Sequence, residues 1–214
     1  MKGVLFDDKH SYYDFGLVLN SKDISLPTPK TYIIDIPYAD GSLDLSTALT
    51  DGTVKYQNRK ITMEFTVLKP WKQLETLRSI IANHLHGKVM KVIFDTESDF
   101  FYQGRCVITR FSTDTIPATL TIEVDAEPYK YNIEETVISK TVSSETIIYI
   151  DEQKMKVVPT ITVSSGMFVT FNGEVHQLLV GENIVPDIML SSDENELRFS
   201  GNGTVRINFR GGEL

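Results

Sequence analysis

Between Lys60 and Leu68 the chain alternates without a break: Ile61, Met63, Phe65 and Val67 share one side of an extended backbone, and Thr62, Glu64 and Thr66 take the other. Successive side chains of a strand point to opposite faces, so this period of two predicts a strand with one face on a core and one in water. The period returns in Leu120, Ile122 and Val124, set between Thr119, Thr121, Glu123 and Asp125. Apolar runs at residues 3–6, 15–19, 89–94 and 101–111 add further strands, and the polar residues 20–23 are expected to end the second of them. Ile34 and Ile36 flank Asp35 in one more brief alternation, stopped by Pro37, which has no N–H to give a ladder. Residues 54–56, the pair Gln57-Asn58 and residues 60–68 together predict a hairpin. A chain patterned in this way is committed to a mainly β architecture.

One segment departs from the period of two. Trp71, Leu74, Leu77, Ile81 and Leu85 recur at three- and four-residue steps between Pro70, suited to a helix start, and Gly87, suited to a helix stop. They predict a single helix covering one face or opening of the sheet. Further on, Ala126-Glu127-Pro128-Tyr129-Lys130-Tyr131 puts Pro and charge after a finished strand, which predicts two domains, 1–130 and 131–214. In the second, short runs at 137–142, 146–150, 160–163, 168–171, 175–180, 184–190, 196–199 and 204–209 are separated by turn signals. Asn172-Gly173 is the clearest, because both residues tolerate the positive φ of a type I′ hairpin turn. Gly201-Asn202-Gly203 is expected as a loop between two strands, so that Asn202-Gly203-Thr204 reads as a turn rather than a glycosylation acceptor. Many short strands at this spacing imply a sandwich or jelly roll.

Bulk properties exclude several functions. With 41% hydrophobic residues among 214, the chain can bury a real core, yet no apolar run approaches the roughly 20 residues needed to span a bilayer. The start, MKGVLFDDKHS, lacks the apolar centre of an export signal, so the chain is expected to stay unsecreted. Cys106 is alone and cannot form an intrachain disulfide. The net charge is −8, of which −2 falls in residues 1–130 and −6 in 131–214. Gripping nucleic acid requires a basic patch that displaces counterions, and an acidic chain is not built for it.

Candidate chemistry is sparse. His84 and His86 lie two positions apart and cannot chelate as a helical i,i+4 pair would; His10 and His176 fall in separate segments. Asp95, Glu97 and Asp99 have the alternating acids of a calcium loop, but Phe100 and Cys106 stand where that loop needs Gly and Glu. A hairpin turn explains them better, and the run Ser191 to Glu196 likewise reads as a solvated turn. Asp40, Asp44 and Asp51 offer carboxylates without any sign of the environment that glycoside hydrolysis needs. No nucleophile elbow or phosphate-binding glycine loop is present. Catalytic, cofactor and metal sites are therefore all expected to be absent, and Cys106 is expected as a small buried hydrophobe.

The segment from Asp35 to Phe65, DIPYADGSLDLSTALTDGTVKYQNRKITMEF, contains no catalytic set, but it spaces Leu43, Leu45 and Leu49 along an acidic, Gly-marked loop suited to touching another protein. Taken with HSYYDFGLVLNSKDISLPTPKTYIIDIP upstream, LHGK at Leu85 to Lys88, FYQGR at Phe101 to Arg105 and the ending SGNGTVRINFRGGEL, it resembles the distal tail proteins of long-tailed phages. The likeness is dense over Met1 to Tyr131 and looser after it.

That resemblance implies an N-terminal antiparallel β belt domain with one α-helix and a C-terminal galectin-like β-sandwich. It implies a non-enzymatic structural protein of phage or prophage origin, made in the host cytoplasm and carried at the virion tail tip. The belt would form a hollow, hexameric ring, with tail tube protein on one side and the tail-associated tip protein on the other, and with tape-measure and receptor-binding proteins as further partners. DNA would pass through it without stable binding. The expected oligomer interface comprises Asp40, Gly41, Leu43, Leu45, Leu49 and Trp71. The alternative is a carbohydrate-binding module of galectin-like type. Its aromatics would be Tyr131, Tyr149, Phe168, Phe171, Phe199 and Phe209, most of them expected in the strand core.

Overall fold

The computed structural model describes residues 3–50, 52–113 and 116–214. Two units divide the chain, Met1–Lys130 and Tyr131–Glu213. In the first, the alternating segment becomes β6 (Arg59–Val67), with Ile61, Met63, Phe65 and Val67 buried and Lys60 and Glu64 exposed. Around it stand β1 (Val4–Phe6), β2 (Lys9–His10), β3 (Leu17–Ile24), β7 (Val89–Phe94), β8 (Phe100–Ser112) and β9 (Thr119–Ala126). They pair in the order β2-β1-β7-β8-β9-β6-β3, every pairing antiparallel. The sheet curls until its ends approach: Lys22 of β3 sits 4.2 Å from the ring centroid of Phe94 in β7, and Leu17 N–H donates to Ser11 O at 2.8 Å. Inside lie Phe6, Phe65, Phe94, Leu120, Ile122 and Val124.

The predicted helix is α1 (Leu74–Leu85), entered through a 3-10 turn at Trp71–Gln73. Leu74, Leu77, Ile81 and Leu85 are buried in the same core, each contributing about 1.5–3 kcal/mol by leaving water. Trp71 does not share that stripe: the tighter turn rotates it away and leaves it exposed. Two strand expectations also need correcting. The polar residues 20–23 do not end β3, which continues to Ile24 beyond an irregularity between Leu19 and Ser21. An edge strand needs only its ladder, and Asn20 and Thr66 exchange side-chain hydrogen bonds at 2.7 and 3.0 Å across it. Residues 54–56 form no hairpin with β6; Tyr56 bridges back to Pro29 instead.

Between β3 and β6 the chain leaves the sheet as an arm bearing a two-stranded hairpin of β4 (Ile33–Asp35) and β5 (Ser42–Asp44). The second unit begins within β10 (Lys130–Asn132) and holds β11 (Thr136–Ile150), β12 (Thr160–Val163), β13 (Met167–Phe171), β14 (Glu174–Leu178), β15 (Gly181–Ile184), β16 (Asn195–Phe209) and β17 (Gly212–Glu213). Its sheet order is β14-β13-β16-β12-β15, and β11 pairs along the other side of β16.

The runs expected as four separate strands (137–142, 146–150, 196–199 and 204–209) are one continuous ribbon. β11 and β16 stay in register from Thr136 opposite Phe209 to Ile150 opposite Asn195. Gly201 and Gly203 are strand residues within it, at φ +143° and +146°, so Asn202-Gly203-Thr204 is no turn. Beyond them β16 exchanges β13 for β12 as its neighbour, and Leu197, Phe199, Val205 and Ile207 all join one core. The ribbon thus serves both halves of a sandwich-like fold. The Asn172-Gly173 hairpin stands where its sequence puts it, with φ +49° and +83° and Phe171 opposite Glu174. Residues 185–190 are not strand; β15 ends at Ile184.

Candidate functional site

At the root of the arm, residues 28–30 and 55–57 run antiparallel: Lys30 N–H donates to Lys55 O at 2.7 Å and Gln57 N–H to Thr28 O at 2.8 Å. Further out, β4 and β5 pair Ile33 with Asp44, Ile34 with Leu43 and Asp35 with Ser42. Short polar side chains pin this register. Ser42 Oγ donates to Asp35 Oδ1 at 2.6 Å, Tyr32 N–H to Ser46 Oγ at 2.8 Å, and Ser46 N–H to Asp44 Oδ1 at 2.9 Å. The side-chain and backbone hydrogen bonds from Ser46 hold the Asp44 carboxyl below its ordinary range, so it carries its charge.

An isolated two-stranded hairpin is marginal in water, and this one buries neither face: all residues of β4 and β5 are exposed. Tyr32, Ile33, Ile36, Tyr38, Leu43 and Leu49 stand in solvent, Leu49 at 98% exposure. Single apolar residues are scattered over any protein surface; here several are concentrated along one arm. Of the sequence-marked residues, Asp40 and Gly41 are exposed between β4 and β5, and Leu43 lies in β5. Leu45 is half-buried and donates its N–H to Tyr32 O at 2.9 Å, so it partly serves the arm itself. Asp51 lies outside the described residues. The exposed Tyr32, Ile33, Ile36 and Tyr38 had no sequence signal, because alternation around Asp35 looks the same whether a core or a neighbouring molecule receives the isoleucines.

Trp71 belongs to another surface. It is 65% exposed and lines a groove with Leu68, Ile116 and Pro117, floored by buried Leu74. Lys69 and Lys72 are exposed on the same stretch of chain.

Several titratable groups of the first unit are spent on the fold. Asp95 takes the N–H of Gly3 at 2.7 Å and pairs with His10 Nε2 at 3.1 Å. His84 Nε2 lies 3.3 Å from Phe6 O, and His86, at the C-cap of α1, accepts the Ile108 N–H at 3.0 Å. Glu97 pairs with Lys130 Nζ at 2.5 Å and accepts the Tyr102 hydroxyl at 3.4 Å. Burial, then the charge of Glu97, pushes the Tyr102 phenol up. Arg59, unmarked by the sequence, is buried over the Tyr102 ring and donates to Pro128 O. Cys106 is fully buried, and burial pushes its thiol up to about 12. Among the described residues no group of three or more His, Cys, Asp or Glu is placed to hold a metal ion, and no helix is long and apolar enough to cross a membrane.

In the second unit the run Ser191 to Glu196, expected as a solvated turn, contains a buried clamp. Asn195 Nδ2 reaches Ser191 O at 3.1 Å and Asp193 O at 3.0 Å, while its Oδ1 accepts the Ser191 N–H at 2.9 Å. The aromatics also divide differently from expectation. Phe171, Phe199 and Phe209 are buried, but Tyr149 is 60% exposed and Phe168 47%. Both lie on strands that flank Arg198 of β16, whose guanidinium bonds Glu145 at 3.2 Å and Glu196 at 3.1 Å.

No family model and no curated protein sequence matches the chain. Its three-dimensional arrangement does find a counterpart, the crystal structure of the SPP1 Dit (gp 19.1) protein, a paradigm of the hub adsorption apparatus in phages that infect Gram-positive bacteria. The TM-score is 0.70 over 98% of this chain and 99% of that one, at 13% sequence identity. The two chains share a fold. The mainly β architecture expected from the distal tail resemblance is the one observed, and the likeness to SPP1 Dit takes in both units.

Proposed function

We propose that this chain is a structural, non-enzymatic subunit of a phage tail tip, carried in the virion. In this reading its first unit self-associates into a hollow, hexameric ring that joins the tail tube to the tip protein and lets DNA pass. The observation that carries the proposal is the uncovered apolar arm, set in a fold shared along nearly its whole length with a phage hub protein. Two further features support it. The borders of the first sheet, β2 and β3, leave ladder groups that a ring can pair. The first unit, net −2, lacks the basic excess that would make a conduit grip phosphate.

Electron microscopy and light scattering of the purified protein at high concentration test this directly. Rings with an open centre are the expected result, and monomers at every concentration would end the proposal. A carbohydrate-binding role has one observation in its favour, the exposed Tyr149 and Phe168 beside Arg198. Glycan binding abolished by Tyr149→Ala would establish it; a glycan array without hits would dismiss it.

A further inference from the structure

The arm and the Trp71 groove are complementary in shape of chemistry and opposite in charge. From residue 31 to residue 50 the arm has three carboxylates, Asp35, Asp40 and Asp44, and no Lys or Arg. Its apolar side chains face solvent rather than their own core. The groove offers apolar walls in Leu68, Trp71 and Ile116, the last 94% exposed, over the buried floor of Leu74. Lys69 lines the groove, exposed Lys72 follows Trp71 in the chain, and none of the lining residues is acidic; Glu75, on the first turn of α1, is the nearest acid that follows Lys72 in the chain.

We propose that the arm of one copy seats in the Leu68–Trp71–Ile116 groove of a second copy, its carboxylates meeting Lys69 and Lys72. This rests on the ring reading and specifies the surface that receives the arm. Donor and acceptor are different surfaces of one chain, so every copy uses both and the contact is head-to-tail. Such contacts propagate until they close into a ring. The apolar core of the contact supplies adhesion, and the charges select the groove over other exposed apolar surfaces. A second copy is the favoured occupant because the complementary surface is already present in every molecule of the same protein.

The test is a complementation in solution with the full chain. One variant disables the arm (Leu43→Asp, Leu49→Asp) and another the groove (Leu68→Asp, Trp71→Asp); all four residues are exposed, and circular dichroism verifies that each variant keeps its fold. Each variant alone is expected to be monomeric. Mixed in equal amounts they are expected to give a one-to-one dimer and no ring, since one arm and one groove remain intact and only one contact can form. Rings from the groove variant overturn this inference and leave the ring reading standing. A mixture that stays monomeric also overturns it, because arm and groove then matter to different partners. Failure of the unaltered chain to assemble removes both. Lys69→Glu with Lys72→Glu, which changes only exposed side-chain ends, is expected to raise the concentration for half-assembly roughly tenfold. Unchanged assembly in that variant overturns the assignment of this groove.

Discussion

Arg59 takes the first core-facing position of β6 and brings a charge where the strand's other inward residues are Ile, Met, Phe and Val. Its guanidinium pays for burial with a bond to Pro128 O and a place over Tyr102, yet its Nε finds no hydrogen-bond partner. Glu97 is already paired with Lys130, so removing Arg59 does not strand that carboxylate. Arg59→Met is therefore expected to cost about 1–2 kcal/mol, chiefly the lost Pro128 bond, whereas Arg59→Ala adds a cavity and should cost about 3 kcal/mol or more. Urea unfolding midpoints of the two variants check the order. Cys106 makes a pH prediction. Folding raises its pKa from 9.0 to about 12, so the folded state favours the neutral thiol. Its contribution is fully present below about pH 9 and is lost as pH climbs from there toward 12, because the unfolded chain releases its proton first. Stability measured from pH 7 to 10.5 should fall, and Cys106→Ala should flatten that fall. Burial of Cys106 was legible from its place in an apolar strand. Arg59 was not, because a charged residue beside a turn reads as solvent-facing until the fold closes over it.

At the scale of elements, period and turn chemistry were the legible signals. The alternation of β6 and β9, the stripe of α1 and the Asn172-Gly173 hairpin follow from local rules and are present. What local rules missed was tertiary. Two glycines in a row of strand residues look like a loop, and only a long partner such as β11 reveals that the ribbon runs through them. A Cβ at Gly201 would come within 2.7 Å of Met167 Cβ, and one at Gly203 would strike Ser165 Oγ and lie 2.7 Å from Ser164 Oγ. Both positions also need a φ that side chains disfavour. Gly203→Val should destabilise the second unit by about 2 kcal/mol or more, read as a lowered melting temperature, while the same change at exposed Asn202 should cost less, only the Ser144 N–H bond that its Oδ1 accepts at 3.1 Å. The arm was legible as an acidic loop with spaced leucines and no catalytic set, suited to touching another protein. Its hairpin escaped notice because β4 and β5 are three residues each and gain nothing from burial within their own subunit.

For the molecule as a whole, the proposed ring makes the arm the place where folding and assembly would separate. Its leucines contribute little to the folded monomer because they remain in water there, so Leu43→Asp with Leu49→Asp should leave the melting temperature within a few degrees of the unaltered protein while abolishing rings. Thermal melting beside light scattering checks both halves of that statement; a large loss of stability would place the leucines in the monomer's own core instead. The second unit behaves in the opposite manner. One ribbon of β11 and β16 supplies backbone bonds to both of its halves, so each half loses its ladder to β16 if that ribbon comes apart. Tension applied across such a unit is expected to meet one long ladder rather than a series of short ones, so that it holds whole or gives way at once.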